Sequence, residues 1–381
     1  MIKNYVKLGD LATYINGYAF KPKDRGDTGL PIIRIQDLTG NSYDKGFYNG
    51  DDYPSKIEID NGDVLISWSA SLGVYLWNGG KALLNQHIFK VEFDKKEIDK
   101  DYFIYAVRFS LKKLRQLTHG ATMKHIVKKD FENVSIPYPS LKRQKEIAKI
   151  LKDSEDVIEN RQKEISKLDT LIKARFVEMF GDPGSNNKEI NVKKLGEVCV
   201  LNPKKNTESN LFDNLRVSFV PMSSVSEKGD MNLEQTKLYS EVKKGFTYFS
   251  DDDVLFAKIT PCMENGKGAI ALNLKNRIGF GSTEFHVLRP IRNISNPYWL
   301  YVLTTFTAFR KLAESNMTGS AGQRRVPVKF LENYKVAVPP IELQNEFASF
   351  VQQVDKSKVA IQKSLDETQN LFDSLMQKYF S

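Results

Sequence analysis

The chain is predicted to be an α+β protein written twice: two mixed α/β modules separated by two long antiparallel helices that pair as an intramolecular coiled coil, a pseudo-two-fold internal repeat. The first observation behind this is a duplication offset by 200 residues. From Ile126 the chain reads IVKKDFENVSIPYPSLKRQKEIAKIL and from Val326 it reads VPVKFLENYKVAVPPIELQNEFASFV. Glu132, Asn133, Pro139, Gln144, Glu146 and Ala148 recur as Glu332, Asn333, Pro339, Gln344, Glu346 and Ala348, with no gap. The second is that 141–180 and 341–380 contain neither Gly nor Pro, while the segments before them alternate short apolar runs with turn residues. Two equivalent units imply a task done at two separated places.

The repeat divides the chain at 1–140, 141–180, 181–340 and 341–381. In the first module LPIIRIQDL (30–38), GDVLISWSA (62–70) and HIFKVEF (87–93) read as strands. Their counterparts in the second are LRVSFVPMSSV (215–225), DDVLFAKIT (252–260) and EFHVLRP (284–290). A helix follows in each, at 102–117 and 298–314, and then a Gly-containing polar loop, HGATMKHI (119–126) or TGSAGQRRV (318–326). The loops differ more between copies than the helices do, as when one scaffold presents two surfaces.

The long segments are preceded by Pro137 and Pro139 and by Pro339 and Pro340, and Gly181–Gly184 stops the first. At 1.5 Å per residue, each rod is roughly 60 Å long. The first carries an apolar seam of Ile147, Leu151, Ile158, Ile165, Leu168, Ile172 and Met179. The second carries Phe347, Val351, Val354, Ile361, Leu365, Phe372, Leu375 and Tyr379, in the same heptad register. So narrow a stripe needs another helix to cover it. The other copy is the nearest partner, and antiparallel pairing places one module at each end. Ser154, Arg161, Arg175, Lys358 and Thr368 interrupt the seam and either set its register or sit at its edge.

The 41% apolar and 27% charged composition is that of a soluble globular protein. No apolar run reaches membrane-spanning length and the N-terminus lacks a signal-peptide layout, so a cytoplasmic location is expected. Cys199 and Cys262 are expected to be two buried thiols rather than a disulfide framework. The net charge of +9 favours a polyanionic partner, and residues 181–340 alone carry +6.

Catalytic patterns are sparse. No phosphate-cradling loop ends in Lys and Ser or Thr, and His87, His119, His125 and His286 have no metal-site spacing. GFGSTEF (279–285) reads as a strand-entry turn, Asn296-Pro297 as a helix start, and Asp94-Lys95-Lys96 as a solvated loop. Groups suited to DNA are more numerous. The two polar loops offer His119, Thr122, Lys124 and His125, and Thr318, Ser320, Gln323, Arg324 and Arg325. Arg pairs with guanine edges and Gln with adenine, while Lys, Ser and Thr suit phosphates. Arg34 and Gln36, Ser67, Trp68 and Ser69, and Lys258, Thr260, Asn265 and Lys267 are further candidates, each with a structural alternative.

On these strings the chain resembles the specificity subunits of type I restriction-modification systems. VKLGDLATYINGYAF and VKKLGEVCVLNP open the modules, GDVLIS and DDVLFA lie inside them, and PYPSLKRQKEIAKIL and PPIELQNEFASFV carry most weight through their ordered duplication. One departure is that the Glu-Gln pair before the helix appears as Arg143-Gln144 and Leu343-Gln344. The resemblance implies a non-catalytic subunit whose two target-recognition domains each read half of a split double-stranded DNA sequence. It implies that the helices set the spacer and dock two methyltransferase subunits, and that restriction subunits join through these. No cofactor is implied in this chain; S-adenosylmethionine and ATP with Mg would belong to the partners. The alternative is a stand-alone DNA-modifying or DNA-cleaving enzyme.

Overall fold

A computed structural model describes residues 4–40, 46–50, 52–69, 71–117, 127–184, 190–205, 212–320 and 322–381. The chain forms two compact units, residues 1–162 with 363–381, and residues 163–362.

In the first unit a four-stranded sheet has the order Thr13–Asn16, Ile88–Glu92, Val64–Ser67, Gly73–Leu76, all antiparallel. A second sheet has the order Arg25–Gly26, Phe47–Tyr48, Leu30–Ile33, Ala82–Leu84, Glu58–Ile59, with a parallel pair between Leu30–Ile33 and Ala82–Leu84. The strand Val64–Ser67 serves two cores: Val64 and Ile66 pack under the helix Lys100–Leu117, Leu65 against the second sheet. Burial on both faces is why it reads as a continuous apolar run rather than an alternating one.

The second unit repeats this. Cys199–Leu201, Phe285–Pro290, Val254–Ala257 and Gly268–Ile270 form one sheet in that order. Thr236–Leu238, Arg216–Val220, Ile278–Gly281 and Thr247–Ser250 form the other, again with one parallel pair. Val254 and Phe256 face one core, Leu255 and Ala257 the other.

The repeated strings have structural duties. Gly9 and Gly196 pack on the repeated glutamates: a Cβ would stand 3.2 Å from the Glu132 carbonyl oxygen or 3.3 Å from that of Glu332. Asn133 and Asn333 each donate to the carbonyl four residues back, at 2.9 Å. Asp63 and Asp253 accept the main-chain N–H three residues earlier, at 2.9 and 2.8 Å, closing the turn before the central strand.

Leu141–Phe180 and Ile341–Phe380 are each a single helix of 40 residues. In the second unit Arg175 meets Glu346 at 3.1 Å and Asp169 meets Lys358 at 2.7 Å, so the segments run antiparallel. In the first unit Arg143, near the start of one helix, stacks on Tyr379, near the end of the other, at 5.7 Å. Ile147, Leu151, Ile158, Ile165, Ile172, Phe347, Val351, Val354 and Phe372 are buried. Leu168, Met179, Ile361, Leu365, Leu375 and Tyr379 are half-buried. The seam also includes Phe176, Phe180, Met376 and Phe380, two pairs spaced by 200 that the 4,3 reading passed over. Of the polar interruptions, Arg175 and Lys358 bridge the helices, whereas Ser154 and Thr368 bond back to their own helix.

Several expectations need correction. LPIIRIQDL is a strand only to Ile33; Ile35–Leu38 is a helical turn because the Asp37 carboxylate accepts the Arg34 N–H at 2.7 Å. The helix over 298–314 is two, Pro297–Thr304 and Thr307–Ser315, because the Thr304 and Thr305 hydroxyls bond back and the Arg310 guanidinium takes the Thr304 carbonyl. Gly279 and Gly281 lie within the strand Ile278–Gly281, where the Phe249 ring occupies the space a Cβ at Gly279 would need. Cys199 is buried and its thiol is pushed up to about 12 by burial, but Cys262 is only partly covered. Asn296 does start a helix, its side chain accepting the Tyr298 N–H at 2.9 Å.

Candidate nucleic-acid interface

Trp68 in the first unit and Lys258 with the 318–326 loop in the second lie at the same strand end of the four-stranded sheet. Trp68 follows the strand Val64–Ser67 and donates its N–H to the His87 carbonyl at 3.2 Å. At the same edge of the second unit Lys258 follows Val254–Ala257 and donates its N–H to the Glu284 carbonyl at 2.9 Å. Two positions taken from dissimilar strings are therefore topologically equivalent.

In the first unit the Trp68 indole lies parallel to Phe89, centroids 5.8 Å apart, meets the His87 ring at 4.8 Å, and donates to Asn16 at 3.3 Å. Asn16, Gln86 and Tyr18 are exposed beside it. Ser67 and Ser69 face inward: Ser67 is fully buried and donates to the Ser71 carbonyl, and Ser69 is 6% exposed. Arg34 is held by Asp37 at 3.2 Å while Gln36 is exposed, and neither joins this edge. His119, Thr122, Lys124 and His125 lie outside the described residues.

The second unit shows how its polar loop meets the same edge. Thr260 N–H donates to the Arg324 carbonyl at 3.0 Å and Val326 N–H to the Lys258 carbonyl at 2.9 Å. Thr318 and Arg325 exchange main-chain bonds of 2.9 and 2.8 Å, which closes the tip. The sheet anchors the base of the loop through His286, whose Nε2–H donates to the Val326 carbonyl at 2.8 Å while Nδ1 accepts from Asn202. Burial holds this imidazole below its ordinary pKa, in keeping with a neutral ring.

The adjacent arginines are not equivalent. Arg325 grips Glu284 through two hydrogen bonds of 2.9 Å. Those bonds hold Glu284 below the usual carboxylate range, so their stabilisation is present above the ordinary pKa of about 4.3 and is lost as pH falls below it. Arg324 stands 3.9 Å from Glu264 and 4.0 Å from Glu314, beyond hydrogen-bond length, and 40% of its side chain is exposed. Arg325 shapes the loop; Arg324 is available to a ligand. Ser320, Gln323, Thr318 and Asn265 are exposed, Lys258 and Lys267 half-buried, the latter reaching the Met222 carbonyl at 3.4 Å. Thr260 is oriented inward, its hydroxyl donating to Glu264 at 2.7 Å.

Reading from types and spacing missed Asn16, His87, Glu264 and Glu284. All four lie in or beside strings already singled out for other reasons, and it is the fold that brings them to Trp68 and Lys258. Among the described residues no group of His, Cys, Asp and Glu is arranged to hold a metal, and no helix is long and apolar enough to cross a membrane.

A twice-built α/β unit with a polar strand-end edge and a long helix matches one family. Residues 3–170 and 187–368 match the type I restriction modification DNA specificity domain, and the chain belongs to that family. It is 40% identical over 187 residues to the type I restriction enzyme EcoAI specificity subunit of Escherichia coli, an alignment covering 48% of this chain and 31% of that one. The chain thus spans about a third of the length of that relative. The MjaVIII specificity subunit of Methanocaldococcus jannaschii is 24% identical over 399 residues, 96% of this chain and 91% of the relative. In fold, the chain is similar to the S subunit of a type I restriction-modification system from M. genitalium, with a TM-score of 0.57 at 16% identity, covering 100% and 97%. It is also similar to a chain from a study of complex assembly and conformational transition of the type I R-M system, at 0.55 and 17%, covering 99% and 97%.

Proposed function

We propose that the chain is the non-catalytic DNA-specificity subunit of a type I restriction-modification complex. Residues 1–140 and 181–340 are the modules that each read one half of a bipartite duplex site, and the helices of 141–180 and 341–381 set the spacer. The observation that carries this reading is the equivalence of the two strand-end edges: one scaffold, with Trp68, Asn16 and His87 in one unit and Lys258, Arg324 and Glu264 in the other. Same geometry with different chemistry is what reading two half-sites requires. S-adenosylmethionine and ATP with Mg would be bound by the methyltransferase and restriction partners.

Methylation profiling of a host carrying the full chain and its methyltransferase subunit should return two short half-sites separated by a fixed unread gap. A single continuous motif would sink the reading. Arg324→Ala should weaken binding to that site 10- to 100-fold, the worth of about 1–3 kcal/mol for one arginine contact to a base. If Arg324 contacts a phosphate instead, the loss is uniform across sequences and the salt slope falls by about 1.

The methyltransferase partners require a docking face. Ile150 and Val157, one heptad apart on the first long helix and 39% and 42% exposed, are the two apolar side chains we assign to that face. Replacing both by Asp should abolish co-purification with the methyltransferase subunit while leaving the thermal midpoint within a few degrees. Retained co-purification would place the partner elsewhere.

A further inference from the structure

Arg310 lies in the helix Thr307–Ser315 with 8% of its surface exposed. Its hydrogen bonds go to three main-chain carbonyls: Nε donates to Thr304 at 2.8 Å, Nη1 to Met263 at 2.6 Å and Nη2 to Gly266 at 3.1 Å. The Phe256 ring covers the guanidinium at 5.0 Å. Burial pulls its pKa down to about 10, which still leaves it charged at neutral pH.

A buried cation whose hydrogen-bond partners are carbonyl dipoles is an expensive way to fill a core, since an apolar side chain of similar volume is often as stable or more so. What the guanidinium supplies instead is a planar fork of donors at fixed angles. That fork grips both ends of a short turn. Met263 and Gly266 flank Glu264 and Asn265, and the turn is wound by Met263 N–H to Ile259, Asn265 N–H to Pro261, Gly266 N–H to Met263 and Lys267 N–H to Cys262. Asn265 is exposed, and Glu264 accepts the Thr260 hydroxyl beside Arg324. The Thr304 bond ties the same guanidinium to the break between the two helices, so the turn is referred to the unit's framework.

We propose that Arg310 is a positioning residue for base discrimination by the second module, holding the 263–266 turn from behind so that Asn265 and Arg324 meet DNA in one preset arrangement. The proposal rests on reading that edge as a DNA-contacting surface. Preorganisation of this kind matters because a contact held an ångström too loosely loses its power to discriminate.

The test is methylation profiling with the full chain and its methyltransferase subunit, comparing wild type, Arg310→Met, Arg310→Lys and Arg324→Ala. In Arg310→Met, preference at one or two base positions of a single half-site should fall tenfold or more, with the other half-site unchanged. Arg310→Lys, which keeps the charge but not the fork, should restore only part of it. An unchanged profile in Arg310→Met, or equal loosening of both half-sites, overturns the proposal. Should Arg310→Met not accumulate, an Arg310→Lys profile identical to wild type overturns it, whereas a loss confined to one half-site supports it. If Arg324→Ala also leaves the profile intact, the reading of the edge itself has failed; if Arg324→Ala alters it and neither Arg310 variant does, only the role of Arg310 has.

Discussion

Phe347→Ala should cost the second unit about 3–5 kcal/mol, the range for truncating a buried aromatic ring. Phe347 is fully buried near the start of the second long helix and meets Phe176 at 5.5 Å and Phe180 at 5.4 Å, both edge to face. Phe176 in turn meets Phe306, at the junction of the helices Pro297–Thr304 and Thr307–Ser315, at 5.1 Å. The ring therefore fills volume and also joins the long helices to the helices that carry Arg310. Rigid neighbours collapse poorly into a cavity, which places the loss toward the upper end of the range. For a unit of this size roughly 2–4 °C accompanies each kcal/mol, so the thermal midpoint should fall by about 10 °C. Urea titration of the full chain, monitored by far-ultraviolet circular dichroism, measures the free-energy loss, and a thermal scan the midpoint. A loss below about 1 kcal/mol would mean that this aromatic cluster is not the joint its packing implies.

The parts of the fold legible in the chain were those governed by periodicity. The heptad seam and the proline lead-ins made both long helices legible, because 40 residues without Gly or Pro favour one continuous helix. The strands were legible as apolar runs, but not which run lies beside which. The parallel pairings Ile32 with Leu83 and Ser218 with Gly279 join residues about 50 to 60 positions apart and have no local signature. The candidate site suffered for that reason. Trp68 and Lys258 were visible as residue types, but their shared place depends on register, and Glu264 and Glu284 looked like ordinary surface acids. Ser67 and Ser69 illustrate the opposite error: hydroxyls near a tryptophan resemble a polar surface until the strand is seen to be buried on both faces.

The duplicated glutamine explains why the likeness between copies is concentrated where it is. Gln344 is fully buried; its Oε1 accepts the Asn296 N–H at 2.8 Å, and its Nε2 donates to the Ile294 and Pro339 carbonyls at 3.0 and 2.9 Å. Gln144 does the same with two partners, accepting the Asp99 N–H at 3.0 Å and donating to the Pro139 carbonyl at 2.9 Å. Each side chain thus ties the first turn of a long helix to the start of its module's helix. The positions before them differ freely, Arg143 stacking on Tyr379 and Leu343 lying 40% exposed, because neither is part of this tie. Gln344→Leu keeps the volume and takes the partner from three main-chain groups, the Pro339 carbonyl buried and the Ile294 carbonyl and Asn296 N–H part-buried, at up to about 1–3 kcal/mol each before water or relaxation intervenes. A net loss of about 3 kcal/mol or more is expected, and Gln144→Leu should lose less. Gln344→Glu separates the donor from the acceptor role. The carboxylate can still accept from Asn296 but faces two carbonyl oxygens, which raises its folded pKa above the unfolded value. Its deficit should therefore shrink as pH falls toward 4, whereas the Gln344→Leu deficit relative to wild type should not. Urea titrations of the three chains at pH 7 and pH 5 decide it, and a Gln344→Glu deficit that stays the same or grows at the lower pH would show that the tie does not depend on donation from Nε2.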